Sequence, residues 1–487
     1  MQSKTARYDL IVIGAGIGGL NALYAAARYL PKTARVLLLD QKEKAGGMWN
    51  TAYDYVRLHQ PHPMFTTGNL AWNWNKPRHY LATRDETQFH LESTLSHLTK
   101  SIQLETRFEV TVTACEEVTV DDRAMARVTL HSNDTSKKVT NLYAKRVIHA
   151  AGLNIGEMSP LEFDSDQVIS IAPNTLIETL ARNPRAPVVV VGGGKTGMDT
   201  IMAILADDPN RHVTLIKGRG THFMNRTKYW PRGVRRWFGG QLNTRMFRNM
   251  ALRFDGHNGV ELMRYFGQTY GVDPKADNDS YLFGSLSRDE WKRISNGIAK
   301  EVSGYLDTVV DGDTGPQLQL RDGRVIQTKP DTIIVNCTGS VFRSPEPVPA
   351  MPLLSPKRTI VSINPRSAFH FLSYISSFYV IHLFYRRRLQ GKGFYAVDHE
   401  ALFRADRKAW FGAACAHTYL NVVIGSQNLP IDILDACGFN HDQWYPRPRQ
   451  ILGYIQMKST AQKDIQHCTK VLEATAKRFP GSCWPIL

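Results

Sequence analysis

The sequence predicts an α/β fold: two Rossmann-like units, the second inserted into the first, followed by a mainly helical C-terminal region. Three observations predict it. Gly14-Ala15-Gly16-Ile17-Gly18-Gly19 follows the apolar run 8–13, and Gly192-Gly193-Gly194-Lys195-Thr196-Gly197 follows the apolar run 188–191. After each loop comes a helical stretch and then a second apolar run, at 35–39 and at 212–216. A buried parallel strand that feeds a glycine turn and a helix N-terminus offers backbone N–H groups to a pyrophosphate. One such loop is weak evidence, because glycine turns also serve packing. Two, each between strand and helix, imply two dinucleotides in one protein.

The residues at the second strand ends separate the two nucleotides. The first unit's strand ends at Asp40, and an acid about 20 residues past the glycines is placed to bind ribose hydroxyls and to repel a 2′-phosphate. That end suits the AMP half of FAD or NAD. The second unit's strand ends at Lys217-Gly218-Arg219, where cations favour the 2′-phosphate of NADPH.

Further along come the turn Gly46-Gly47-Met48-Trp49, the strand end Ala150-Ala151-Gly152 and the strand end Cys337-Thr338-Gly339. With both glycine loops, these motifs resemble those of the flavin-containing monooxygenases, the class B flavoproteins, over roughly residues 8–340. The resemblance implies FAD held by Gly14, Gly16, Gly19, Asp40, Gly47, Trp49 and Gly339. It implies NADPH held by Gly192, Gly194, Thr196, Gly197, Lys217 and Arg219, with Arg226 on a phosphate or an anionic substrate. It further implies that NADPH reduces the flavin, that O2 adds at its C4a position, and that the resulting hydroperoxide passes oxygen to a small organic substrate. The family passes its chain beside the flavin after the Gly-Gly-x-Trp turn, which here is the histidine-rich loop 59–65. His59 and Gln60 are its expected contacts, competing with a rigid loop fixed by Pro61 and Pro63.

Two departures matter. The family's FxGxxxHxxx(W/Y) stretch is represented at 163–170 by Phe163 alone, without the glycine and the histidine. Lys195 stands inside the second loop, where small or neutral residues are usual. A lysine there can serve the NADPH phosphates, or it can stabilise a developing oxyanion near the flavin. It also raises the alternative of a single-component flavin halogenase using NADPH, O2 and halide, with Lys195 as its active-site lysine. The Trp72-Asn73-Trp74-Asn75-Lys76-Pro77 stretch resembles a halogenase signature but lies too near the N-terminus, and it is read as coincidence.

Composition bounds the rest. At 487 residues, 43% hydrophobic and 21% charged, the chain suits a multidomain soluble enzyme. The six cysteines form no CxxC pair, which disfavours a redox disulfide and a zinc site and favours reduced thiols in a cytoplasmic protein. The N-terminal apolar stretch is too short for a secretion signal. The net charge of +16 is dispersed, with clusters at 232–236 and 386–388, and no nucleic-acid-binding fold accompanies it. Two dinucleotides, and a small substrate that is acidic or carried by an acidic protein, account for it. The aromatic segment 368–385 reads as a buried helix near the substrate cavity, with peripheral membrane contact as the other reading. The expected division is an FAD-binding domain at 1–155 with a return at 320–365, an NADPH-binding domain at 156–319, and a helical C-terminal region at 366–487 that shapes the substrate pocket.

Overall fold

The computed structural model describes residues 7–132, 139–153, 157–278, 280–339, 341–342, 350–370, 373–437 and 442–486. Two parallel sheets organise it. The first unit runs β1 (Arg7–Ile13), α1 (Ile17–Ala27), β2 (Val36–Leu39), α2 (Arg84–Ser101), β3 (Leu104–Arg107), β4 (Val110–Val120), β5 (Arg123–Ser132) and β6 (Val139–His149). Its strand order is β3-β2-β1-β6-β5-β4, parallel through β6 and antiparallel beyond it. β1 and β2 bury nearly every side chain, as strands covered on both faces must. The capping box of Thr83 and Glu86 starts α2.

The second unit runs β7 (Val168–Ile171), α3 (Leu176–Arg182), β8 (Val188–Val191), α4 (Lys195–Asp207), β9 (Val213–Ile216), β10 (Thr221–Asn225), α5 (Arg226–Tyr229), α6 (Arg235–Phe238), α7 (Asn243–Arg253) and α8 (Gly259–Tyr270). It continues through β11 (Ser280–Leu286), α9 (Arg288–Gly297), β12 (Ile298–Val302), the antiparallel ribbon β13 (Leu306–Gly312), β14 (Gly315–Leu320) and β15 (Val325–Gln327), and β16 (Thr332–Asn336). The sheet order is β12-β9-β8-β16-β7. The expected FAD return at 320–365 therefore begins too early. β16 pairs with β7 and β8, and the chain rejoins the first sheet only at β17 (Ile360–Ser362), which pairs with β6.

The remainder is α10 (Ser373–Tyr385), β18 (Tyr395–Val397), α11 (His399–Ala405), α12 (Arg407–Asn428), α13 (Ile431–Leu434), α14 (Arg447–Arg478) and β19 (Cys483–Pro485). α10 packs on α1, with Phe378 against Tyr24 and the Tyr29 hydroxyl 2.7 Å from His382 Nδ1. Phe378, Val380, Ile381 and Leu383 are fully buried, so this helix belongs to the core; residues 371 and 372 lie outside the described residues. Among the described residues no helix is long and apolar enough to cross a membrane.

α7 and α8 both lie against α12, and α8 also packs on β10 of the second unit; Asp464 of α14 ties α7 to α12 by accepting from Arg248 at 2.7 and 3.1 Å and from Tyr419 at 2.9 Å. α7 and α8 thus build one helical layer with the C-terminal region, although the sequence suggests an uninterrupted nucleotide domain over 156–319.

Candidate active site

The two glycine loops repeat one geometry. β1, β2 and β6 end level, at Ile13, Leu39 and His149, and β8, β9 and β16 end level at Val191, Ile216 and Asn336. Gly14 adopts φ +103° and Gly192 φ +124°, which side chains rarely tolerate, and a Cβ on either would strike the carbonyl of the neighbouring strand end, Ala150 or Cys337. The last glycine lets helix approach strand: a Cβ on Gly19 would land on the Gly14 carbonyl, and one on Gly197 on that of Gly192. The middle glycines differ in purpose. A Cβ on Gly16 would meet only Gly47 Cα, 3.5 Å away, and one on Gly194 would meet nothing within 4 Å. Both face open space, where a ligand's pyrophosphate needs room at the backbone.

Around the first loop, Asp40 accepts from the backbone N–H of Ala15 (2.6 Å) and of Lys42 (2.8 Å), so it fixes the loop while leaving lone pairs for a ribose. Burial raises its pKa, against those hydrogen bonds. The Gly46 N–H donates to Ala15 O at 3.0 Å, and this seats the Gly-Gly-x-Trp turn on the loop. Trp49 packs edge-on against Phe65 at 5.9 Å. Beyond the second loop, Lys217 pairs with Glu301 at 2.5 Å and the Arg219 Nε donates to the Tyr305 hydroxyl at 3.3 Å.

Both loops open into one cavity of about 2090 Å³, at least twice the roughly 300–1,000 Å³ of a single-ligand pocket. Its lining includes Gly14, Gly16, Asp40, Gly47, Trp49, His59, Gln60, Gly192, Gly194, Lys195, Thr196, Lys217, Arg219 and Gly339. Gly19 and Gly197 stand behind it in their packing roles. Lys195 forms an ion pair with Asp199 one helical turn on, and Asp199 also accepts from the Tyr53 hydroxyl at 2.9 Å. Burial, then the Asp199 charge, pushes the Tyr53 phenol well up, so it stays protonated. His59 is pushed well below its usual range by burial and by the Lys195 and Arg226 cations, which leaves a neutral imidazole in the cavity wall.

Arg226 is not in the cavity lining: its guanidinium is nearly fully buried and donates to His59 O (2.7 Å), Glu290 (2.7 Å) and Ser285 O (2.9 Å). It ties the His59 loop of the first unit to the capping box of α9 in the second. The histidine-rich loop is otherwise internally held. His62 packs edge-on against Trp72, Trp74 and Tyr80, which gives that tryptophan pair a packing role.

Sequence reasoning missed the apolar end of the cavity. Met246, Phe247 and Met250 of α7 face Phe403 and Phe411 of the C-terminal helices in its wall. The signal was available: 243, 246, 247, 250 and 251 are buried at helical spacing. The cysteines offer no exchange chemistry. None of the six is in a disulfide; burial pushes the Cys337 thiol up to about 12, and its sulfur lies 3.3 Å from the Thr200 hydroxyl.

Residues 8–238 match the family model for pyridine nucleotide-disulphide oxidoreductases. An uncharacterized protein of Mycobacterium tuberculosis is 25% identical over 366 residues, 71% of this chain and 63% of its own length. The FAD-containing monooxygenase EthA of the same organism is 24% identical over 224 residues, 45% of this chain and 44% of its own length. The chain thus spans under two thirds of the curated relatives it matches. Among solved structures, the ornithine hydroxylase PvdA of Pseudomonas aeruginosa aligns with a TM-score of 0.49 at 13% identity, covering 78% of this chain and 99% of that one. A flavin-containing monooxygenase of Stenotrophomonas maltophilia aligns with a TM-score of 0.44 at 14% identity, covering 78% and 99%. The chain thus carries two glycine-loop units of one geometry and is similar, over part of its length, to pyridine nucleotide-disulphide oxidoreductases and to an FAD-containing monooxygenase.

Proposed function

We propose that the protein is an NADPH- and FAD-dependent monooxygenase that places one atom of O2 in a small organic substrate and releases the other as water. The observation that carries this reading is the single cavity into which both glycine loops open. The residues fit the two nucleotides. Gly16 and Gly194 leave backbone accessible, Asp40 keeps acceptor capacity for a ribose, and Lys217 and Arg219 stand at the second strand end. In this reading residues 1–155, with β17 as the return strand, form the FAD-binding domain, and the sheet of β7, β8, β9, β12 and β16 forms the NADPH-binding domain.

When bound, the nicotinamide supplies hydride and the flavin supplies O2 activation. The chain's own part is to bind, orient and exclude water. His59, neutral, has one ring nitrogen able to accept a proton and one able to donate a hydrogen bond. Gln60 adds an amide beside it. Lys195, steadied by Asp199, gives a fixed positive charge in the second loop. The apolar end framed by Met246, Phe247 and Phe411 keeps water from the substrate. Six cysteines held in no disulfide support a reducing, cytoplasmic setting.

The test is NADPH consumption and product mass under isotopically labelled O2 across a panel of small amines, ketones and sulfides. A product carrying one labelled oxygen, formed without halide, is the expected result. A product that forms only with bromide or chloride overturns oxygenation in favour of the halogenase.

A further inference from the structure

We infer that α6 and the first two turns of α14 form a docking surface for an anionic phospholipid bilayer. On α6 and just before it, Val234, Trp237 and Phe238 are exposed, Phe238 at 88%. On α14, Ile451, Leu452 and Ile455 are exposed as well. The two groups are neighbours: Arg449 of α14 donates to the carbonyl of Arg236 at 2.8 Å, and Gly453 lies against Leu242. Their exposure is built rather than frayed. Trp444 Nε1 donates to Pro231 O at 2.8 Å, and the Tyr445 hydroxyl donates to the carbonyls of Tyr229 and Gln241 at 2.9 Å, so a buried aromatic pair holds the segment outward.

Charge selects the occupant. From Arg226 to Arg253 the chain has no Asp or Glu, and Arg232, Arg235 and Arg245 are exposed in that same segment, in a protein of net charge +16. A second copy would bring arginines against arginines. Aliphatic Val234, Leu452 and Ile455 can neither stack on bases nor hydrogen-bond, so a nucleic acid would leave them uncovered. A bilayer surface with acidic headgroups satisfies both features: aromatic and aliphatic side chains enter the interface while the arginines meet phosphates. α10, by contrast, is interior. The same segment lines the cavity from within, through Trp230, Met246 and Phe247.

The experiment is vesicle co-sedimentation of the purified full chain. Vesicles of phosphatidylcholine with about 30% phosphatidylglycerol should retain at least about tenfold more protein than phosphatidylcholine alone, and added salt should release it. A Trp237→Ser, Phe238→Ser variant should lose about tenfold in binding with its far-ultraviolet circular dichroism and melting temperature unchanged. Arg232→Gln, Arg235→Gln should lose the preference for phosphatidylglycerol. Absence of vesicle binding, or equal binding by the aromatic variant, overturns the inference. So does a concentration-dependent dimer, or tight oligonucleotide binding, that the aromatic variant abolishes.

Discussion

The two glycine loops share a backbone and differ in what surrounds it. Each uses one glycine for positive φ, one for helix approach and one to open the backbone to the cavity. The first is flanked by Asp40 and is followed by Ile17, buried at the start of α1. The second is flanked by Lys217 and Arg219 and is followed by Lys195 at the start of α4. Under the proposed function the glycines make room for a dinucleotide, and the charges at the next strand end and the first helical turn select which one.

The sharpest way to break the comparison is to fill one loop at a time. Gly16→Val should abolish FAD binding and give colourless protein that still binds NADPH, because the added side chain meets only Gly47 and the pyrophosphate's space. Gly194→Val should stay yellow and lose NADPH binding. Flavin release after denaturation and NADPH titration by calorimetry check both. Full flavin occupancy in Gly16→Val would mean the loops are not equivalent.

Charge discrimination comes next. Lys217→Ala with Arg219→Ala should erase most of the preference for NADPH over NADH, since each charge-assisted phosphate contact is worth roughly 1.5–3 kcal/mol. The pairing of Lys217 with Glu301 puts the effect at the lower end. The ratio of apparent Kd values for the two coenzymes reads it out. An unchanged ratio would detach the strand-end cations from coenzyme choice.

Lys195 has no counterpart in the first loop. Lys195→Ala should slow flavin reduction about tenfold by removing one charge-assisted contact. It should also raise the His59 pKa, because the Lys195 charge helps hold that imidazole neutral. The pH profile of the reduction rate should shift upward on its acid limb. A normal reduction rate with loss of product would move Lys195 to the later chemistry.

The smallest effect concerns His149, which ends β6 where Asn336 ends β16. Burial pushes His149 down to about 4. A depressed imidazole contributes stability that is complete above about 6.5 and is lost as pH falls towards about 4, because the unfolded chain then binds the extra proton. His149→Asn should therefore remove about 2 kcal/mol of acid destabilisation between pH 6.5 and 5. Urea titrations at the two pH values measure it, and an unchanged pH slope would contradict it.

Much of this was legible in the chain, for local reasons. Apolar runs that end in glycine mark the strand–loop–helix units, and Asp40 and Lys217 sit at fixed distances from them. What was hidden depends on partners far away in sequence. Arg226 reads as a phosphate ligand in the sequence, and its bonds to Glu290 and to the carbonyl of His59 depend on residues 64 and 167 positions away. β16 ends in a Thr-Gly pair like a returning flavoprotein strand, yet it pairs with β7 and β8. α7 carries a plain helical periodicity, but only its packing on α12 reveals that it walls a cavity.

Whether both nucleotides meet in one cavity is read by mixing the purified protein anaerobically with NADPH. The yellow flavin absorbance should bleach in a single turnover in the wild type and persist in Gly194→Val. A wild-type protein whose bound flavin is not bleached by NADPH would contradict a shared cavity.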